Sequence, residues 1–140
     1  MCGETRVLVI DDEWIILDSI QYALERKGYH VDALLSGCDA KEHLAKNLHR
    51  YDAIITDIDL GRGIDGWSVA CMAREVWPSI AVIYCTSQPA HLWRSRGLVG
   101  SRLVQKPFTE RCLAETLGDL IKSGQETWQG SPATIISAAA

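Results

Sequence analysis

The sequence predicts an α/β fold in which helices cover both faces of a parallel sheet. Short runs of apolar, often β-branched residues alternate with longer segments whose apolar residues recur at helical spacing. The short runs carry apolar residues on both of their faces, as strands buried between two layers of helices require. Elements that alternate in this way form parallel sheets with right-handed crossovers. The 140 residues suit one domain.

Five strands and five helices are predicted. The strands lie at Arg6–Ile10, His30–Leu34, Asp52–Asp57, Ile80–Thr86 and Leu103–Gln105. The first helix ends before Gly28, a residue typical of a helix C-cap. Ser36 and Thr109 are placed to N-cap the second and fifth helices, and Pro78 ends the third. The fourth helix candidate, Gln88–Arg96, is short and weakly amphipathic.

The composition narrows the classes of function. A formal net charge of -4 and the absence of a basic run argue against direct contact with nucleic acid. No apolar run approaches the ~18 residues of a membrane span, and the N-terminus has no hydrophobic signal core. The 5 cysteines are scattered without a Cys-x-x-Cys pair, which favours reduced thiols. We expect a soluble, cytoplasmic protein that contacts neither nucleic acid nor membrane.

The chain divides at about residue 122. Residues 5–122 form the predicted domain, and residues 123–140 are rich in Ser, Gly and Ala, which predicts a flexible C-terminal tail. Trp128, Ile135 and Ile136 leave open that the tail docks on the domain. We see no room for a helix-turn-helix or an enzymatic domain after Ile121, so we expect a stand-alone protein.

Polar residues end several of the predicted strands. These residues are Asp11 and Asp12, Asp57, Thr86 and Lys106. Ligands of open α/β sheets bind at the carboxyl ends of the strands, so these side chains are expected to form one site. Three converging carboxylates repel one another unless a cation neutralises them, and Mg²⁺ takes a few carboxylates while leaving positions for phosphoryl oxygens. A carboxylate in such a site can form an aspartyl phosphate, assisted by a lysine and a hydroxyl.

In this order and spacing, the strand-end residues and the run Lys106-Pro107-Phe108 resemble the receiver domain of bacterial two-component response regulators, over about residues 5 to 122. The resemblance implies a flavodoxin-like (βα)5 three-layer sandwich with a parallel sheet of order 2-1-3-4-5. It also implies a phosphoprotein of phosphorelay signal transduction, which catalyses only its own phosphorylation and dephosphorylation and is otherwise not an enzyme.

The resemblance assigns a role to each matching position. Asp57 is the expected phosphoacceptor and a ligand of Mg²⁺. Asp12 is expected to bind the metal directly, Asp11 through water, and Asp59 through its main-chain carbonyl. Thr86 and Lys106 are expected to contact phosphoryl oxygens. In the family the Lys-Pro bond is usually cis, and the same is expected of the bond that follows Lys106.

The resemblance also implies partners. The phosphoryl group is expected to come from a histidine kinase or a histidine phosphotransfer protein. The signal is expected to pass to a downstream protein that the sequence does not identify, through the surface from Ser87 to Thr109 together with the last helix. A phosphorylation-dependent homodimer is left open.

The chain departs from the family pattern at several positions. Receivers usually carry Tyr or Phe three residues before the lysine, as a ring that turns inward on activation, whereas this chain has Leu103. The stretch between Thr86 and Lys106 is short for the family. Asp59 places an acidic side chain near the expected path of attacking water. In the following loop, Gly61 replaces a frequent proline and residues 62–64 lengthen the loop.

Three other readings are open at this stage. Gly61, Gly63 and Gly66 match the spacing of the dinucleotide fingerprint. However, they follow the third strand, and nearby acids would repel a pyrophosphate. We therefore assign no cofactor-binding residues and interpret these glycines as turn residues. Asp57 and Asp59 could be the paired aspartates of a haloacid-dehalogenase-like phosphatase. The acids could also belong to a receiver scaffold that is not phosphorylated.

Overall fold

The computed structural model describes residues 5–46, 50–87, 97–124 and 134–137, and in them strands and helices alternate. The elements are β1 Arg6–Ile10, α1 Trp14–Arg26, β2 His30–Leu34, α2 Gly37–Lys46, β3 Ala53–Asp57, α3 Gly66–Val76, β4 Ala81–Thr86, β5 Arg102–Gln105, α4 Glu110–Gly124 and β6 Thr134–Ser137. The five predicted strands are all present, with bounds that differ from the prediction by no more than one residue. The predicted helix Gln88–Arg96 lies outside the described residues.

The strands form one sheet in which all neighbours are parallel. Their order is β2-β1-β3-β4-β5-β6. This order confirms the predicted arrangement 2-1-3-4-5 and adds a sixth strand beyond β5. The reversal of strand order between β1 and β3 is the place where open α/β sheets form crevices for ligands.

The sheet is buried on both faces. Side chains at alternate positions along the strands point to opposite faces, so each central strand contributes to two cores. Leu8, Ile54 and Tyr84 pack in the core beneath α2 and α3, whereas Val9 and Ile83 pack in the core beneath α1 and α4. We refer to these two layers as the α2/α3 face and the α1/α4 face. The predicted three-layer sandwich is therefore confirmed.

Side-chain caps set the starts of three helices. Ser36 and Thr109 each accept a hydrogen bond at 3.0 Å from the main-chain N–H three residues further on, as predicted. Asp65 caps α3 in the same way at 2.9 Å, which the sequence analysis did not identify. Each cap satisfies a main-chain donor that the first turn of a helix leaves without a partner.

Regular structure continues beyond residue 122, the predicted end of the domain, at two places. Helix α4 continues to Gly124, and four residues of the predicted flexible tail, Thr134–Ser137, form β6 beside β5. Without β6, strand β5 would be an edge strand with unpaired main-chain donors and acceptors, so pairing favours this arrangement. Tail residues 125–133 and 138–140 lie outside the described residues. Within the part that the structure describes, no helix is long and apolar enough to span a bilayer.

Gly66, the first residue of α3, lies directly against the main chain that follows β3. Its N–H donates to the carbonyl of Ile58 at 2.8 Å, and a Cβ at this position would lie 2.0 Å from the carbonyl oxygen of Asp57. No L side chain fits at that distance without a shift of the main chain. The end of β3 and the start of α3 are thus packed as one unit.

We expect Gly66→Ala to lower the free energy of unfolding by about 2 to 4 kcal/mol, because the added methyl group forces two main-chain segments apart. Gly118→Ala is the matched control, since the nearest atom to its Cβ would be the Tyr29 hydroxyl at 3.8 Å, an ordinary contact. In helix α4 this control should be neutral or stabilising by up to about 1 kcal/mol. Urea unfolding of both variants checks the prediction, and equal stabilities would contradict it.

Candidate functional site

The register of the sheet brings the strand ends together. The pairs at the carboxyl edge are Ile10 with Thr56, Asp57 with Cys85, and Thr86 with Gln105. The residues that end or directly follow these strands therefore lie side by side. The structure places all of the predicted strand-end residues at this edge.

Lys106 joins the ends of three strands. Its ammonium group donates to Asp11 Oδ2 at 3.0 Å and to Asp57 Oδ2 at 3.1 Å, and its side chain is only 11% exposed. Its main-chain N–H donates to the carbonyl of Thr86 at 2.7 Å, and the bond to Pro107 is cis, as predicted. Burial alone would lower the pKa of Lys106, but the two carboxylates outweigh burial and raise it. The lysine is therefore charged.

Asp57 is buried at the end of β3. Burial raises its pKa to about 6, because a carboxylate loses hydration there; the Lys106 charge opposes this shift and the nearby Asp11 charge adds to it. The N–H of Asp59 also contacts Asp57 Oδ1 at 3.3 Å. At neutral pH the carboxylate is ionised, although burial makes its charged form less favourable than that of an acid in water.

Four acids form a cluster around this carboxylate. Asp11, Asp12, Glu13 and Asp57 each offer an oxygen, and these oxygens all lie within 4.8 Å of one another. Asp11 is buried, and its Oδ1 accepts from the N–H of Glu13 at 2.9 Å, which fixes its orientation. Such a set of carboxylate oxygens suits a hard divalent cation. Glu13 was not predicted as a member, although its position directly after Asp11 and Asp12 could have indicated it.

The remaining predicted positions differ in their surroundings. Thr86 is 2% exposed at the end of β4, beside the acids. The Asp59 carboxylate is exposed and accepts from the N–H of Gly61 at 3.1 Å. Gly61 and Gly63 have φ of 77° and 95°, values that favour glycine, in agreement with their interpretation as turn residues.

Leu103 is fully buried on the α2/α3 face and lies beside Tyr84 in the register of β4 and β5. A buried ring is therefore present near this position, but on β4. The ring of Tyr84 packs on Trp67 with their centroids 4.8 Å apart. The sequence alone does not predict that these two rings are in contact, because residues 17 positions apart give no periodic signal.

The chain matches the response regulator receiver domain family over residues 7–118. Among solved structures, it is similar to a response regulator receiver protein from Sinorhizobium medicae WSM419, with 33% sequence identity and a TM-score of 0.83 over 87% of this chain and 98% of that chain.

Two curated relatives are longer than this chain. The response regulator MprA of Mycobacterium sp. (strain KMS) is 28% identical over 91% of this chain and 56% of the relative. The transcriptional regulatory protein DltR of Streptococcus agalactiae serotype III (strain NEM316) is 34% identical over 74% of this chain and 46% of the relative. The chain thus spans about half the length of the curated relatives that it matches.

We expect Asp57→Asn to raise the free energy of unfolding by about 1 to 3 kcal/mol at pH 7 in EDTA. The pKa of Asp57 is raised from 3.8 to about 6, so the folded protein binds a proton that the unfolded chain releases between these values. The native protein therefore loses stability as the pH rises from about 4 to about 6, and asparagine removes this loss. The increase in the free energy of unfolding of Asp57→Asn over the native chain should be complete above pH 6 and absent below pH 4.

Urea unfolding across this pH range measures the gain. Asp119→Asn, which changes an exposed carboxylate on α4, is the matched control and should alter the free energy of unfolding by less than about 0.5 kcal/mol. A variant at position 57 that is less stable than the native protein at pH 7 would show that the pair with Lys106 outweighs the burial of the acid.

Proposed function

This chain belongs to the response regulator receiver family, and on that premise we propose that Asp57 accepts a phosphoryl group from a histidine kinase or a histidine phosphotransfer protein in a Mg²⁺-dependent reaction. The observation that carries the proposal is the pair of hydrogen bonds from Lys106 to Asp11 and Asp57, at 3.0 and 3.1 Å. They hold a buried carboxylate and a largely buried ammonium group together at the edge of the sheet where the strands end.

In the proposed reaction, a carboxylate oxygen of Asp57 attacks the phosphorus atom of a phosphohistidine. A phosphorus–oxygen bond forms and the phosphorus–nitrogen bond to the donor breaks, so the histidine leaves with the bonding electrons. Lys106 is already beside Asp57 and balances the charge of the transferred group. Thr86, buried at the next strand end, supplies a hydroxyl to one of its oxygens. Transfer of this kind depends mainly on alignment and charge neutralisation.

Asp11, Asp12 and Asp57 would hold Mg²⁺, with the main-chain carbonyl of Asp59 as a further ligand. The fit rests on the chemistry of the donors, since the cluster of acid oxygens spans no more than 4.8 Å and matches the preference of Mg²⁺ for oxygen ligands. When bound, the ion supplies positive charge that offsets the acids and the phosphoryl oxygens. Glu13 adds a fourth acid at the exposed rim of the cluster.

A groove beside Lys106 suits contact with the phosphoryl donor. It lies between the start of α1 and the loop before α4, and its apolar lining consists of Ile15, Ile16, Ile20, Pro107 and Phe108. Two large apolar side chains at the start of α1 are also exposed, Trp14 at 67% and Ile15 at 65%. Exposed apolar surface next to a reactive group is typical of a protein interface.

Receiver domains are signalling domains, and we propose that this one signals by contact with a downstream protein. The proposed contact surface runs from Ser87 to Thr109 and includes α4, although residues 88–96 of it lie outside the described residues. A homodimer that forms when Asp57 is phosphorylated is the alternative way in which this domain would signal. A cytoplasmic location and reduced cysteines belong to the proposal.

Incubation with Mg²⁺ and acetyl phosphate, or with a phosphorylated phosphotransfer protein, should add one phosphoryl group to the native chain. The product should be cleaved by hydroxylamine, as expected of an acyl phosphate, and should not form in EDTA. Asp57→Asn should abolish labelling, because the attacking oxygen is replaced by an amide. Asp119→Asn is the matched control and should label like the native chain. Intact mass spectrometry follows the reaction.

The same experiment tests the other readings. Labelling that persists in Asp57→Asn would place the acceptor elsewhere, and no labelling of the native chain would favour a scaffold that is not phosphorylated. Release of phosphate from free phosphate esters over many turnovers would favour the phosphatase. No contact in the described residues favours either alternative over the receiver function.

We expect Asp12→Asn to weaken Mg²⁺ binding by about tenfold or more, because one of the charged oxygen ligands is lost. Asp18→Asn, an equal change at an exposed position of α1, should leave the affinity unchanged. Isothermal titration calorimetry measures both. Equal affinities in the two variants would remove Asp12 from the proposed metal site.

A further inference from the structure

The segment Gly97–Ser101, which leads into β5, is held by side chains from two other elements. The N–H of Leu98 donates to the hydroxyl of Tyr84 on β4 at 3.2 Å. Arg74 on α3 donates to the carbonyl of Val99 at 3.0 Å. The Leu98 side chain is partly buried against the core of the α2/α3 face, whereas Val99 is 58% exposed. The main chain of a surface segment is thus held by a buried side chain of β4 and a partly buried side chain of α3.

Tyr84 is the central group of this arrangement. Its side chain is completely buried, and it lies two residues before Thr86 on β4. Its ring packs on Trp67, the second residue of α3, with their centroids 4.8 Å apart. A buried tyrosine hydroxyl usually finds a hydrogen-bond partner, and here one partner is the Leu98 main chain. Leu103, which lies beside Tyr84 in the sheet, has no polar group that could make such a bond.

Trp67 is in turn linked closely to Asp57. The preceding residue, Gly66, donates to the carbonyl of Ile58 at 2.8 Å and lies so close to the carbonyl of Asp57 that it has no space for a Cβ. A shift of the main chain at Asp57 or Ile58 therefore has to move the first turn of α3. Because interiors are close-packed, the Trp67 ring cannot move without displacing the ring against it.

We propose that Tyr84 is a positioning residue which couples the state of Asp57 to the main chain of Gly97–Ser101. The inference rests on the proposed function, since a phosphoryl group on Asp57 supplies the change that is transmitted. The contacts run from Asp57 and Ile58 through Gly66 and Trp67 to Tyr84, and from its hydroxyl to Leu98. The phosphoryl group adds charge and volume beside Lys106, and the displacement that follows alters the bond between Tyr84 and Leu98.

The test uses Tyr84→Phe, which keeps the ring and removes only the hydroxyl. Beryllofluoride with Mg²⁺ serves as the phosphoryl mimic, and ¹H–¹⁵N NMR records the amide signals of Leu98 and Val99. In the native chain both signals should shift when the mimic binds. In Tyr84→Phe these shifts should fall severalfold, while binding of the mimic, followed at the Lys106 amide, and the rate of labelling by acetyl phosphate stay unchanged.

Tyr29→Phe is the matched control, because it removes a tyrosine hydroxyl on the α1/α4 face, and its shifts at Leu98 and Val99 should equal those of the native chain. Trp67→Phe is a second variant, which reduces the contact between the two rings but keeps the Tyr84 hydroxyl. It should also reduce the shifts at Leu98 and Val99. If Tyr84→Phe does not fold, Trp67→Phe tests the proposed coupling in its place. Native-sized shifts in a folded variant at position 84 or 67 would overturn the inference.

Two outcomes in the native chain separate this inference from the proposed function. If the mimic shifts the Asp57 and Lys106 amides but leaves Leu98 and Val99 unchanged, the coupling is wrong and the phosphoacceptor role stands. If the mimic perturbs no amide near Asp57, and acetyl phosphate does not label the chain, the proposed function is wrong and the inference falls with it.

Discussion

The contact between Lys106 and two buried carboxylates is the constraint on which the rest of the structure depends. The three groups come from β1, β3 and the end of β5, so they meet only when the strands are parallel and in the observed register. A slip of one residue in any of these strands would turn the side chains to the other face of the sheet. It would also leave a buried charge without a partner, which is strongly unfavourable. The residues of the site therefore favour the observed register of the sheet, and that register in turn assembles the site.

The same contact leaves the site electrostatically unbalanced. One ammonium group faces two carboxylates at 3.0 and 3.1 Å and a third, from Glu13, at 3.9 Å. Burial of Asp57 holds its pKa above the ordinary range; the Lys106 charge opposes this shift, and the nearby Asp11 charge adds to it. A protein selected only for stability would replace such an acid. Its presence at the ligand-binding edge of the sheet is therefore better explained by function than by folding.

The strand-end set could be predicted from the sequence because each member follows a short apolar run, and parallel strands place such positions at one edge. Periodicity likewise predicted the strands, and the preference of Ser and Thr for N-cap positions predicted the caps at Ser36 and Thr109. Other features depend on contacts between distant residues. The packing of Trp67 on Tyr84 joins a helix start to a strand interior, and β6 exists where the edge of β5 is open. The ring contact leaves no local pattern in the sequence. The pattern for β6 is weak, because Thr134–Ser137 is only a short β-branched run in a Ser- and Ala-rich tail.

The groove beside Lys106 and the contact between Trp67 and Tyr84 lie on opposite faces of the sheet. The groove beside Lys106 lies on the α1/α4 face, where Ile16 and Phe108 pack on its core. The rings of Trp67 and Tyr84 lie on the α2/α3 face. Asp57 lies at the edge between the two faces. The groove is next to it on the α1/α4 face, and the Asp57 main chain contacts Gly66 of α3 on the α2/α3 face. A donor bound at the groove would therefore contact the α1/α4 face, whereas the change that the proposed coupling transmits to Leu98 would pass through the α2/α3 face.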